Sequence, residues 1–289
     1  MSRSDTRLGI WLMVLTTFIF GVQDALSRHL AETYNVLLIV MIRYWFFAAF
    51  VIALSARKSG GVRAAARTCQ PVLQIVRGLL LAAQICMTVL AFTYLGLIET
   101  HAVFISYPLL IAALSGPVLG EAVGWRRWLA IVAGFLGILI ILRPGFAVFS
   151  PYALIPLASA GMFALYGLLT RLAARQDSAT VSFFWTGVIG AIGMTVVGAW
   201  YWEPMSRPDY GLMAVLCLSG AFGHELLIKC YEVAEAGAVQ PFAYLQLVWG
   251  AVLGILVFGE RLGGHVVLGA AIIVGAGLFT LWRERGRAA

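Results

Sequence analysis

Charge is what this sequence has least of. Asp, Glu, Lys and Arg together make up 11% of its 289 residues, and apolar residues make up 62%. Soluble domains carry about 25% charged residues. A chain this poor in solvated groups cannot cover a water-facing surface, which excludes a soluble globular protein and leaves an integral membrane protein. Cysteine is scarce as well. The four present, Cys69, Cys86, Cys217 and Cys230, form no CxxC pair, so neither a disulfide framework nor a thiolate metal site is expected. Nothing matches a phosphate-binding glycine loop or a dinucleotide fingerprint, which removes a pump driven by its own ATPase. His224-Glu225 opens a stretch like the zinc motif HExxH, but Ile228 stands where the second histidine belongs, and zinc hydrolysis is excluded with it. The basic excess gives a net charge of +7, yet the arginines sit in short clusters between apolar runs. Membrane proteins fix their orientation in this way; a nucleic-acid groove is built differently.

What the chain does have is long apolar runs. Ten windows, most of them long enough for a hydrocarbon core ~30 Å thick, follow one another: Leu8–Ser27, Val36–Ser55, Val72–Tyr94, Thr100–Leu119, Arg127–Leu142, Pro151–Arg171, Thr180–Tyr201, Tyr210–Glu232, Ala238–Phe258 and His265–Trp282. The short loops between them exclude a β-barrel, whose strands would alternate over ~10 residues. Arg3 and Arg7 precede the first run as they would in a signal peptide, but no A-x-A cleavage site follows, so the run is expected to stay as a first helix. With the N-terminus inside, four basic residues fall in outer loops (Arg28, Arg143, Arg207 and Arg261) and three within helices (Arg43, Arg77 and Lys229). The remaining 13 of the 20 face the cytoplasm. Both termini are therefore expected there, in a multi-pass protein of the cell inner membrane.

The chain also repeats itself. Ala91–Glu121 aligns without gaps on Cys230–Glu260, both copies ending in Gly-Glu, and Phe20–Arg28 echoes Phe163–Arg171. The copies lie five helices apart, an odd number, so they insert with opposite orientation. Inverted repeats of this kind mark transporters whose binding site lies near mid-bilayer where the halves meet. The expected fold is all-α and integral to the membrane: ten transmembrane helices in two inverted five-helix repeats, residues 8–142 and 151–282.

Five plus five helices, the two Gly-Glu motifs after the fourth and ninth, Arg43-Tyr44 in the second and Phe20-Gly21 closing into Ser27-Arg28 together resemble the drug/metabolite transporter superfamily, in its EamA-type branch. The resemblance runs over roughly residues 8–282, with Phe20 where many members have Trp. It implies export of amino acids or related metabolites, nearest to the aromatic amino-acid exporter group; other members move nucleotide sugars, vitamins or S-adenosylmethionine.

Ionisable and polar groups inside the apolar windows are the candidates for function, because a charge at mid-bilayer costs at least ~2.5–3.5 kcal/mol. Glu225 and Lys229 are spaced to neutralise each other on one helical face; alternatively Glu225 meets a substrate and His224 relays a proton. Asp24 and Arg43 share the outer half of the membrane, and are read as a structural ion pair or a gate. Gln84, Tyr107, Tyr166, His224 and Gln246 fall near mid-depth, with Trp249 as an aromatic wall and Gln23 and Tyr244 completing the set. Each could instead make an interhelical hydrogen bond. The glycine pairs Gly116/Gly120 and Gly250/Gly254 suit close packing inside one chain, with a homodimer contact as the other reading. The sequence-level conclusion is a secondary transporter that uses no cofactor and no metal. It works by alternating access in the lipid bilayer, as a monomer or a homodimer, on a small-molecule substrate. Export of an amino acid or related metabolite is expected, with uptake of a metabolite such as S-adenosylmethionine as the alternative. An enzyme would need His224, Glu225 and Tyr244 to converge.

Overall fold

The computed structural model describes residues 6–57, 60–120, 125–142, 151–234 and 239–288; Glu121 of the first Gly-Glu motif lies outside them. Eleven helices are seen among the described residues: α1 (Thr6–Ala31), α2 (Val36–Ala56), a short α3 (Gly61–Ala66), α4 (Pro71–Phe104), α5 (Tyr107–Leu119), α6 (Trp125–Leu142), α7 (Leu154–Ala173), α8 (Ala179–Gly198), α9 (Arg207–Val233), α10 (Leu245–Phe258) and α11 (Gly264–Ala288). Among the described residues, seven helical segments are long and apolar enough to cross a bilayer, and there are three shorter apolar helices besides. The protein is an all-helical, multi-pass membrane protein. Its outer surface carries the large apolar side chains that lipid tolerates, with Trp11, Trp125, Trp200 and Trp202 more than half exposed.

The helices begin and end where sequence chemistry requires it. Asn35, Ser178 and Ser206 cap α2, α8 and α9, each side-chain oxygen accepting a backbone N–H of the first turn; uncapped, those donors would be orphaned at the membrane edge. Gly120 and Gly259, the glycines of the two Gly-Glu motifs, are left-handed C-caps of α5 and α10, with φ of 75° and 65°. A side chain there would be strained.

One helix boundary differs from expectation. The fourth window was expected to start at Thr100 after a loop. Instead α4 runs on, and Gly96, with φ 79° and ψ −178°, divides it in place of a loop. The fourth membrane helix therefore begins at Leu97 and is interrupted once more at Ile105-Ser106, just before Pro108.

Helix contacts repeat under exchange of the halves. α1 packs most extensively on α9, as its counterpart α7 packs on α4. α1 also meets α10, as α7 meets α5. The pairs α2–α8 and α6–α11 map onto themselves. A pseudo-twofold axis in the membrane plane produces this pattern. Among the described residues the two largest apolar clusters lie one around α2, α8 and the outer part of α9, the other around α6 and α11. In the second, Gly137 and Gly269 face each other's carbonyl oxygens so closely that a Cβ on either would clash. Gly250 and Gly254 likewise leave room for His101, Ile98 and Glu260 of the same chain, so this glycine pair packs internally.

Long-range polar clasps join segments that the loop charges place on the same side. On the outer side, the Tyr34 hydroxyl donates to Asp209 at 2.7 Å and accepts the Ser206 N–H at 2.8 Å. On the cytoplasmic side, Asp177 accepts from Thr68 Oγ1, from the Cys69 N–H at 3.1 Å and from Gln74 Nε2 at 2.8 Å. Burial pushes the Asp177 carboxyl up, but these donors and the nearby Arg77 charge outweigh it and hold the pKa below the usual 3.8. A folded-state pKa below the unfolded one gives stability that is complete above the unfolded value and is lost as pH falls through the folded one. The melting temperature is therefore expected to drop as pH is lowered below about 4. Asp177→Asn should melt lower at neutral pH and lose that acid-dependent component of the drop in thermal scans.

Candidate functional site

Two cavities flank α1 between the apolar clusters. The first lies between α1, α2, α4 and α9 and is lined by Gln23, Arg43, Tyr44, Phe46, Phe47, Leu81, Ile85, Leu216, Cys217, Gly220, Ala221 and His224. The second is lined by His101, Phe104, Ile105, Tyr107, Pro108, Ala243, Tyr244 and Gln246. It sits where two helices are interrupted, at Ile105-Ser106 before α5 and in the 3-10 turn Gln240–Tyr244 before α10. The gapless repeat alignment places Ile105 on Tyr244 and Tyr107 on Gln246, so the two breaks are equivalent positions of the two halves. Paired breaks at corresponding positions, lining a cavity, are the strongest structural pointer to a carrier's binding site.

Arg43 and Asp24 do not pair with each other. Arg43 donates from Nη1 to Ser27 Oγ at 3.1 Å. Asp24 accepts from Gln246 Nε2 at 3.1 Å and lies 3.4 Å from His101 Nε2. The expected ion pair is corrected to two separate contacts. On α1, Asp24 turns toward α4 and α10, while Ser27, three residues on, intercepts Arg43; the two charges interact through space. Gln23, beside Asp24, faces the first cavity.

The other candidates divide. Gln23 and His224 line the first cavity; Tyr107, Tyr244 and Gln246 line the second. His224 Nδ1 lies 2.8 Å from the Gly220 carbonyl, and its ring packs against Phe20, Phe47 and Phe183. Gln84 is away from both linings, its Nε2 donating to Thr88 at 2.7 Å and Ser159 at 3.0 Å, a bond between α4 and α7. Tyr166 carries the Arg77 guanidinium over its ring at 5.2 Å. Trp249 packs on α1, donating to Thr17 at 3.3 Å and meeting Phe18 edge-on. Glu225 is half exposed and paired with Lys229 at 2.9 Å. Helical phase sets this: one residue beyond the cavity-facing His224, it points outward. His224, Glu225 and Tyr244 thus do not converge as an enzyme would need.

Three participants escaped the sequence reading. His101 was not singled out, although it is 4% exposed inside an apolar helix and touches the Asp24 carboxylate. Tyr44 was noted only as part of a motif; its hydroxyl is buried without a hydrogen-bond partner. Glu260 was noted only as half of Gly-Glu. It reaches across the outer end to pair with Arg28 and accepts the backbone N–H groups of Leu97 and Ile98 at 2.7 and 2.9 Å. Arg28 in turn lies 3.9 Å over the Phe258 ring. Gly96 makes the site: breaking the helix there frees those two N–H groups, and a Cβ on it would strike the Glu260 carboxylate.

An all-helical membrane domain with paired helix breaks around buried polar cavities defines a secondary transporter of small metabolites. The model of the EamA-like transporter family matches it twice, over residues 7–143 and 150–282, and the chain belongs to that family. It is similar to an S-adenosylmethionine uptake transporter of Rickettsia prowazekii, 27% identical over 277 residues, covering 96% of this chain and 93% of the relative. It is similar to a riboflavin transporter of Vibrio cholerae, 27% identical over 279 residues with the same coverage. A solved structure described only as a protein crystal structure shares the fold, with TM-score 0.60 and 20% identity over 98% of this chain and 99% of that one. The family expectation holds. The finer resemblance to amino-acid exporters finds no counterpart in these relatives, whose names concern S-adenosylmethionine and riboflavin.

Proposed function

We propose that this protein imports a metabolite that joins a planar ring system to charged groups of both signs, with S-adenosylmethionine as the substrate to test first. The observation that carries this reading is the pair of cavities on either side of α1. One is lined by the cationic Arg43 with Tyr44, Phe46 and Phe47. The other is lined by Phe104, Tyr107 and Tyr244, and is backed by the Asp24 carboxyl group through His101 and Gln246. Apolar and aromatic walls with a few convergent polar groups suit a small organic ligand. S-adenosylmethionine carries a carboxylate, an ammonium, a sulfonium and an adenine ring, so it offers a partner to each. The name of the Rickettsia prowazekii relative supports the same substrate and the inward direction.

Purified protein in liposomes is expected to admit labelled S-adenosylmethionine saturably, with unlabelled S-adenosylmethionine competing better than riboflavin. Cells expressing it should accumulate the label from the medium. Flux of free amino acids without S-adenosylmethionine would replace this reading with an amino-acid carrier, and flux of riboflavin alone with a flavin carrier. Depletion of the internal pool would reverse the direction.

A further inference from the structure

We propose that Arg43, Tyr44 and Gln23 form a subsite for the α-amino-carboxylate group of the transported molecule. Arg43 and Tyr44 would take the carboxylate, and the Gln23 side-chain carbonyl the ammonium. The inference rests on reading the chain as a metabolite carrier, and it narrows the substrate class.

Three observations converge on one cavity. First, Arg43 lines it, and among the described residues the hydrogen bond given to its guanidinium is one, from Nη1 to Ser27 Oγ at 3.1 Å. A guanidinium has five donors arranged to hold a carboxylate in two-point fashion. The nearest acid on the same stretch of α1, Asp24, is engaged by Gln246 and His101 instead, so no protein carboxylate occupies the place a substrate carboxylate would take. Second, the Tyr44 hydroxyl is buried without a hydrogen-bond partner, and the Tyr44 side chain is only 3% exposed. Its ring lies against Gly190, in space that a Cβ there would occupy. Third, Gln23 Oε1 is likewise buried and unpartnered, in a residue 8% exposed that lines the same cavity. Buried polar atoms are almost always paired in native proteins. Two orphans beside a largely unused guanidinium in one cavity describe the complement of a ligand carrying one anionic and one donor group. An α-amino acid head group has that pattern, and the aromatic side chains Phe46 and Phe47 beside it would face the remainder of the ligand. Riboflavin has no such head group.

The test uses the full chain in liposomes or detergent, with S-adenosylmethionine and its decarboxylated form as the paired probes. Wild type is expected to bind the carboxylate-bearing probe at least ~10-fold more tightly, as losing a charged hydrogen-bond partner implies. Arg43→Gln should lower affinity for S-adenosylmethionine about 10–100-fold and erase the discrimination, moving the decarboxylated probe far less. Arg43→Lys, which keeps the charge but not the fork, should fall between. If Arg43→Gln does not fold, Tyr44→Phe removes one hydroxyl and should still cut affinity for S-adenosylmethionine by about 3–10-fold at an unchanged melting temperature. Equal discrimination in wild type and Arg43→Gln, or unchanged affinity in Tyr44→Phe, overturns the subsite while leaving S-adenosylmethionine transport standing. If the carrier instead moves a free amino acid, the function proposed above falls, and the same variants tested with that amino acid and its parent amine must show the same loss for the subsite to hold. Transport of riboflavin alone overturns both.

Discussion

Glu260→Ala is expected to be the most damaging single change outside the cavities. Wild-type Glu260 answers three donors at once: the Arg28 guanidinium and the N–H groups of Leu97 and Ile98. Arg28 and Glu260 side chains are 14% and 13% exposed, so truncating the acid leaves a nearly buried cation with the half-exposed Glu32, 3.6 Å away, as its remaining ionic partner. Losing the more buried of its two partners costs up to about 3–5 kcal/mol, and each orphaned amide adds about 1–3 kcal/mol. A fall of at least ~10 °C in the detergent melting temperature follows, taking a few degrees per kcal/mol. Glu260→Gln keeps an oxygen for one amide and loses the ion pair, so it should lie between wild type and Glu260→Ala. Adding Arg28→Met to Glu260→Gln should restore part of the loss by removing a nearly buried charge left with the half-exposed Glu32 alone. A Glu260→Ala protein that melts within ~2 °C of wild type would mean that the outer clasp contributes little. The clasp also has a location that matters for transport. It ties the ends of α1, the fourth membrane helix and α10 together at the outer face, so an outward opening between these elements must break it.

Much of the architecture could be read before any coordinates. Apolar length gave the membrane spans, arginine placement gave the sides, and the copy of Ala91–Glu121 in Cys230–Glu260 gave the inverted repeat, because each signal is a sum over many residues. The junction between the third and fourth helices was misread because it has no loop. A single glycine does the work there, and Leu97 to Glu99 look like ordinary apolar chain with one acid. The site was legible in composition and illegible in pairing. Asp24, Arg43, Gln23 and Gln246 were picked out because polar groups in a bilayer are expensive. Which of them touch depends on helical phase and on Ser27, a residue with no charge to draw attention. Glu225 had two readings, and the pair with Lys229 is the one formed: one residue along a helix is a turn of about 100°, which carries it outside, away from the cavity that His224 faces. His101 was missed because a lone histidine in a run such as Glu99-Thr-His-Ala-Val103 carries no motif; its meaning comes from Asp24, on another helix.

That contact makes Asp24 the second large expected effect. Asp24 lies in the membrane-spanning α1, within 3.4 Å of His101 Nε2 and 3.1 Å of Gln246 Nε2, and both of those residues line the second cavity. The charged and titratable groups facing it are His101 from α4 and, through space, Arg43 from α2, with Arg28 one turn on along α1. An acid and an imidazole in contact beside a cavity can take up and release a proton, the usual role of intramembrane carboxylates in carriers. A carboxamide cannot. Asp24→Asn keeps the shape and the capacity to bond Gln246, so the protein should still insert, yet it should lose more than ~90% of the accumulation that an imposed pH gradient drives in liposomes, a loss equivalent to more than about 1.4 kcal/mol in the coupling. Substrate exchange at equal pH needs no net proton movement and should survive better. His101→Gln should show the same split in weaker form, since the carboxylate remains. Glu225→Gln is the control that separates this from a general effect of intramembrane acids. Its carboxylate is half exposed in an i,i+4 pair with Lys229, an arrangement worth at most about 1 kcal/mol, so gradient-driven accumulation should match wild type. Accumulation undiminished in Asp24→Asn, or lost equally in Glu225→Gln, would remove Asp24 from the coupling step.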